Sequence, residues 1–466
     1  MPDLMISLSL VIFFSIFAGF VLIGLLAWLQ QRISESLIVS ISRTTFAIGF
    51  VLSLVMVVLS FYDGTVHSYR WGTWFESQSH QFPLSFVMDR LSAVMVLLTT
   101  MLCSLIGHFS VTYLHGERGF LRFFLLLQAF AIGMLLLVLA GNVELLFVGW
   151  ELVGVTSALL IMYFHEREAP VRHGIRAFII YRLCDIGLLT GMIFLHHFAH
   201  TSSFQSKLSP GHWMTGMSHL SSSQATLVAL LFILAAMGKS AQLPVGGWLP
   251  RAMEGPTPSS AIFYGGLSVH AGVYLLLRAE PLLEDAPLAC MVLIGVGLFT
   301  AVVSTLMGRI QVDIKNSLAY ATMTQVGIMF VEIGLHLDTI ATVHLVGHAC
   351  LRTWQLLRSP SVLHELHELR GSLDHEFETG HWYERIEQRL PGNLGRSLYK
   401  HALQRFYLES ILERMFIRPF VWLASKIAAL DHVLFHRTKQ EPNPAPPAMV
   451  FAQPPQQSLV GKRKES

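Results

Sequence analysis

Glu151 stands in the middle of an apolar run, Leu146-Phe147-Val148-Gly149-Trp150-Glu151-Leu152-Val153-Gly154. A charged side chain near the centre of a lipid-spanning helix costs at least ~2.5–3.5 kcal/mol. The chain keeps several: Arg182 and Asp185 in one apolar stretch, Lys239 and Lys315 in others, and His344, His348 and Arg352 in a last one. Acids, amines and imidazoles held in a nonpolar slab either form static pairs or pass protons or cations. Arg182 and Asp185 have the i, i+3 spacing of a pair on one helix, as a self-satisfied couple or as working charges. Lys239 sits where a helix breaks. A lysine there gains or loses its proton as a carboxylate nears or leaves, so Glu151 and Lys239 make a switchable couple wherever the fold brings them together. His344, His348 and Arg352 recur every four residues and share one helix face. Lys315 opens its stretch, as a snorkelling end residue or as a deeper relay member. His270 is a lone buried imidazole, the usual sign of a satisfied core residue. Glu144 lies two turns before Glu151 on the same side.

These residues fall in an all-α polytopic pattern. Hydrophobic residues make up 53% of the chain and charged ones 13%, against about 25% charged in soluble domains. Apolar stretches at 4–29, 38–62, 86–113, 119–140, 142–164, 175–199, 224–241, 257–278, 286–307, 313–335 and 339–358 predict about eleven transmembrane helices. Lipid offers unpaired backbone groups no partner, so helices are the default. Gly238-Lys239-Ser240-Ala241-Gln242-Leu243-Pro244 and Gly255-Pro256-Thr257-Pro258 interrupt the seventh. A broken helix at membrane depth belongs inside protein or beside a wet cavity. Met1-Pro2-Asp3 lacks the basic start of a signal peptide, and 4–29 is too long for one.

The chain divides into 1–85 (two helices and an external loop), an 86–358 core, a polar and amphipathic helical tail at 359–440, and a disordered Pro/Gln-rich end at 441–466. Basic residues mark alternate loops: Arg32 and Arg43, Arg118 and Arg122, Arg167, Arg172 and Arg176, then Arg309. The positive-inside rule makes these cytoplasmic, with the N-terminus outside and the tail inside an inner cell membrane. The loops 63–85 and 200–223 read as interfacial connectors. The pattern at 403–437 reads as an amphipathic surface helix, with 411–432 as either a twelfth span or part of that surface. His364 and His367, near His375 and His381, lack the closed spacing of a zinc site. Cys103, Cys184, Cys290 and Cys350 are scattered packing residues. A net charge of +2 gives no sign of a nucleic-acid partner. No phosphate loop, nucleophile elbow, haem or flavin motif appears, so no catalytic residue, metal or cofactor is assigned to the chain.

Over roughly 86–358 the chain resembles the antiporter-like subunits of respiratory complex I and of multisubunit Na⁺/H⁺ antiporters. The carrying stretches are 146–154, Arg182-Leu183-Cys184-Asp185, 238–261 and Asp313-Ile314-Lys315-Asn316-Ser317-Leu318-Ala319-Tyr320 through Gly327. The resemblance implies an ion pathway through Glu151, Lys239, Lys315, His344 and His348, with Arg182 and Asp185 as modulating charges. Three departures stand out. Tyr264 replaces a histidine early in the eighth span, Arg352 replaces a lysine, and the later family helices have no counterpart after 358. Arginine stays protonated at ordinary pH, so Arg352 joins His270 among modulating or structural groups. These departures resemble the DabB branch, the membrane subunit of energy-coupled inorganic carbon pumps. That branch implies a cation-translocating subunit working with a large zinc-containing DabA-like partner at the cytoplasmic face, the zinc being the partner's. The alternatives are a subunit L-like part of an NADH–quinone oxidoreductase beside other respiratory membrane subunits, or a Na⁺/H⁺ antiporter subunit.

Overall fold

A computed structural model describes residues 2–29, 33–77, 80–199, 202–203, 220–372 and 392–435. The expected disordered end at 441–466, most of the 200–223 loop, and the side chains of His364, His367, His375 and His381 lie outside the described parts. The helices are α1 (Pro2–Leu29), α2 (Glu35–Asp63), α3 (Arg90–Tyr113), α4 (Phe120–Leu139), α5 (Val143–Ile161), α6 (Glu168–Ala199), α7 (Ser222–Lys239), α8 (Thr257–Arg278), α9 (Pro287–Arg309), α10 (Ile314–Gly334) and α11 (Asp338–Ser372). Among the described residues α1 to α9 are long and apolar enough to cross a membrane. The chain is a polytopic, mostly helical membrane protein. The last two expected spans form as helices too, α10 and α11, and are the more polar, carrying Lys315, Gln325 and Glu332, and His344, His348 and Arg352.

Side chains set where helices begin. Ser34, Asp89, Asn142, Ser221 and Asp313 each accept a bond from a backbone N–H in the first turn of α2, α3, α5, α7 and α10, which satisfies donors that the helix leaves orphaned. Burial places the helices. The apolar window of α1 is 22% buried and that of α8 is 100% buried, so α8 is central and α1 turns most of its surface outward.

Two elements depart from the sequence reading. The 63–85 connector is an antiparallel hairpin of β1 (His67–Ser77) and β2 (His80–Met88), with His67 opposite Met88 and Ser77 opposite His80. Its Trp71 packs edge-on against Phe14 of α1, ring centroids 5.7 Å apart. The second is the expected 403–437 helix, which is divided into Gly392–Leu403, Leu408–Leu412, Glu413–Ile417 and Arg418–Phe435. Arg405, Phe406 and Tyr407, at φ 52°, 50° and 56°, separate the first two pieces, a conformation in which L side chains do not continue a helix. The chain forms two compact units, Met1–Ile417 and Arg418–Ser466, and the helix Arg418–Phe435 belongs to the second.

The larger unit has a basic end and a hairpin end. At the basic end His115 Nδ1 meets Glu35 at 2.7 Å and Arg122 donates to the Tyr163 carbonyl at 2.6 Å. At the hairpin end the Gly141 N–H donates to the Ser85 carbonyl at 2.7 Å, and Asn142 bridges to Ser203. Arg278 there forms a two-pronged ion pair with Asp89, one prong at 2.9 Å, and also bonds Ser92 and the Tyr274 hydroxyl. This ties the start of α3 to the end of α8.

Candidate functional site

The charged residues of α5, α6 and α7 meet in one place. Arg182 lies between two carboxylates: it pairs with Glu151 and reaches Asp185 Oδ2 at 2.9 Å. The other Asp185 oxygen accepts the Trp150 indole N–H at 2.5 Å. Lys239, 1% exposed, donates to the Trp150 carbonyl at 2.9 Å and lies over the Trp150 and Tyr181 rings at 5.0 and 4.8 Å. The sequence made Glu151 and Lys239 a switchable couple wherever the fold brings them together. In the structure Arg182 holds Glu151, while Lys239 is one residue away on the Trp150 carbonyl. Gly154 makes the room: a Cβ there would stand 2.8 Å from Lys239 Nζ and 3.1 Å from Arg182 Nη2.

The break after Lys239 is held by its own polar groups. Ala241 has φ 52°, and a Cβ on Gly246 would stand 2.0 Å from the Ala241 carbonyl oxygen. Trp248 Nε1 donates to the Gly238 carbonyl at 3.0 Å, Ser240 Oγ to the Val269 carbonyl at 2.6 Å, and the Leu243 N–H to Thr300 Oγ1 at 3.0 Å. These contacts meet the rule that irregular backbone at membrane depth must be satisfied inside protein. α8 is irregular as well: Ala261–Gly266 is a π-turn and Ser268–His270 a 3₁₀ turn. Here the backbones touch, since a Cβ on Gly265 would stand 3.3 Å from the Arg352 carbonyl carbon.

The π-turn aims His270 at α11. His270 Nδ1 lies 2.8 Å from the Gly266 carbonyl and its Nε2 lies 2.9 Å from His348 Nδ1. A carbonyl only accepts, so Nδ1 of His270 carries hydrogen, and neutral His270 offers Nε2 as a lone pair. His348 then donates from Nδ1 and is left with a bare Nε2, buried with no partner among the described residues. One turn earlier His344 joins α11 to α10, with Nδ1 2.9 Å from Glu332 and Nε2 3.0 Å from Gln325 Oε1. Arg352 Nη1 donates to Gln355 at 2.9 Å. Lys315 is not in this group. It lies in the first turn of α10, about 15 Å of helix rise before Gln325. There it lines a cavity of about 490 Å³ at the basic end, with His173, Arg251, Glu254, Asp313 and Arg405.

Glu332, Gln325 and Trp150 were missed from sequence. Glu332 is near the end of its helix, where a charge is unremarkable. Gln325 and Trp150 are uncharged and gave no signal of their own.

A mostly helical membrane chain with a broken helix at a buried lysine and a row of ionisable residues defines a class of polytopic membrane fold. Comparison with known proteins gives the family. A family model described as NADH:quinone oxidoreductase/Mrp antiporter, TM, matches residues 140–374, and one for the N-terminus of complex I chain 5 matches 74–124. The chain belongs to this family. Chain 5 of NADH-ubiquinone oxidoreductase from Metridium senile is 36% identical over 320 residues, 68% of this chain and 52% of that protein. Subunit L of NADH-quinone oxidoreductase from Rickettsia conorii is 32% identical over 339 residues, 72% and 52%. The chain thus spans about half the length of the relatives it matches. The Mrp complex of a Dietzia species superimposes with a TM-score of 0.66 at 26% identity, over 75% of this chain and 37% of that one. The membrane-bound sulfane sulfur reductase, an archaeal respiratory membrane complex, shares the fold with a TM-score of 0.62 at 19% identity, over 76% and 70%.

Proposed function

We propose that this chain is the cation-translocating, most simply proton-translocating, membrane subunit of a multisubunit complex of the complex I and Mrp type. One observation carries the reading: Arg182 is shared by two carboxylates beside a buried lysine at a helix break. A guanidinium leaning toward Glu151 or toward Asp185 changes the field at Lys239, and so the ease with which that amine holds a proton. Tyr181 Oη, Gln242 Oε1, Tyr264 Oη and His348 Nε2 are buried without a protein partner among the described residues, and polar atoms of that kind are the ones ordered water serves. The relatives are subunits of respiratory and antiporter complexes, which supports partner membrane subunits in place of a soluble existence.

A narrower reading, the membrane subunit of an inorganic carbon pump with a DabA-like zinc partner, is favoured by Tyr264 and by Arg352. The named relatives support the respiratory and antiporter reading more strongly. In either case the basic end faces the cytoplasm by its arginines. Lys239→Ala and Glu151→Ala in the assembled complex, reconstituted into vesicles, should each abolish cation flux. Normal flux in both variants overturns the reading. Co-purification separates the two versions: respiratory membrane subunits support the first, and a large zinc protein the second.

A further inference from the structure

We propose that Glu144 and His196 form a proton-binding station at the hairpin end, the outer stop of a route whose inner stop is Glu151 with Arg182. The proposal rests on the translocation reading above and adds residues that reading does not use. Glu144 is in the first turn of α5, and Glu151 follows seven residues later on the same face, about 10 Å further in. His196, in the last turn of α6, places Nε2 on Glu144 Oε1. Ser202 Oγ lies 2.5 and 2.6 Å from the two Glu144 oxygens. The backbone fixes this arrangement: the Val143 N–H donates to the Ser202 carbonyl at 3.1 Å, and Asn142 bridges to Ser203.

The side chains of Glu144 and His196 are 12% and 17% exposed. Both are largely covered by protein, with a part of each side chain left open. Ser202 already gives the Glu144 carboxylate a hydroxyl donor. The imidazole adds a second group that can hold a proton. Loading turns a carboxylate beside a neutral imidazole into a carboxylate–imidazolium pair, by one ring N–H bond formed with a proton that hydronium gives up as it becomes water. Unloading breaks that bond and returns the proton to water. The half-buried Phe147 and Val148 occupy the intervening turn of α5 and separate this station from Glu151. Among the described residues the other titratable groups on the packed helices are Glu151 on α5, Lys239 on α7, His197, Asp185, Cys184, Arg182 and Tyr181 on the nearer part of α6, and Arg176, His173, Arg172 and Glu168 toward its start. The pair's position complements the Lys315 cavity, which is at the opposite, basic end.

The test uses the full complex in vesicles with Glu144→Gln, His196→Asn and Glu151→Gln. Flux should be abolished in Glu151→Gln, and reduced by about a hundredfold in each of the other two, the low end for losing a positioned proton-transfer group. Infrared difference spectra recorded across a pH titration should lose one carboxyl band and one imidazole band together in Glu144→Gln and in His196→Asn. A structural role alone would not couple those bands. Wild-type flux in Glu144→Gln and His196→Asn beside a dead Glu151→Gln overturns the station, as do titration bands unchanged in either variant. Should Glu144→Gln not assemble, His196→Asn decides, because it removes the other half of the same contact. Normal flux in Glu151→Gln overturns the translocation reading instead.

Discussion

Gly154→Ala should slow transport while leaving the fold intact. The new methyl would stand 2.8 Å from Lys239 Nζ and 3.1 Å from Arg182 Nη2. Ordinary contact begins near 3.4 Å, so the amine must retreat by ~0.6 Å. The bond at risk is the 2.9 Å contact from Lys239 to the Trp150 carbonyl, and a hydrogen bond from a charged group contributes ~1.5–3 kcal/mol. If the transition state for ion passage needs the lysine where it is, flux falls by roughly 10- to 150-fold. Stability moves less, because alanine in place of a helix-interior glycine gains up to ~1 kcal/mol, offsetting part of the lost bond. Gly295→Ala on α9 is the matched control, with nothing within 4 Å of its Cβ position. Flux is read by a pH-sensitive dye in vesicles holding the assembled complex. Wild-type rates in Gly154→Ala would refute the claim that the space at Gly154 sets the position of Lys239.

Arg182→Ala removes the partner of Glu151 and of the 4% exposed Asp185. It should destabilise the complex by ~3–5 kcal/mol, and adding Asp185→Asn should restore much of the lost thermal stability. No recovery in the double variant contradicts the shared pair. Arg278→Met strands Asp89 between α3 and α8 and should cost a comparable ~3–5 kcal/mol, checked by denaturation in detergent. A melting curve that matches wild type contradicts it. Glu280 lies in the short helix between α8 and α9, and its carboxyl is pushed up to about 7 by burial and then by Glu284 and Asp338. The folded chain therefore holds a proton that the unfolded chain has released, and stability present below the ordinary glutamate range, about 4.3, declines as pH rises toward about 7. Glu280→Gln should flatten that decline, and an unchanged pH profile of thermal denaturation counts against it.

Much of this site is legible in the sequence, because charge in an apolar run is conspicuous. Glu151, Arg182, Asp185 and Lys239 each interrupt such a run, and the break after Lys239 is written in Gly238, Pro244, Gly255 and Pro258. The four-residue recurrence of His344 and His348 announces a shared face. Contacts between distant segments left no such mark. His196 lies 52 residues from Glu144, and its place at the end of α6 looks like an ordinary interfacial imidazole. The bend that turns His270 toward His348 comes from the π-turn at Ala261–Gly266, where periodicity alone suggests a regular helix. The hairpin was misjudged because Trp71 and Trp74 resemble membrane-surface anchors, whereas the register of β1 on β2 depends on cross-strand pairing.

The contact of His270 with the Gly266 carbonyl bears on traffic through the imidazoles. A hydrogen handed across from His348 ends on Nε2 of His270, whose other nitrogen is already committed to an oxygen that cannot take it onward. Under the proposed translocation His270 would be a siding off the main track, storing one charge and returning it by the way it came. Through-movement would then fall to His348 and His344, and only a turn of the His270 ring, breaking its bond to Gly266, would open the siding at its far end.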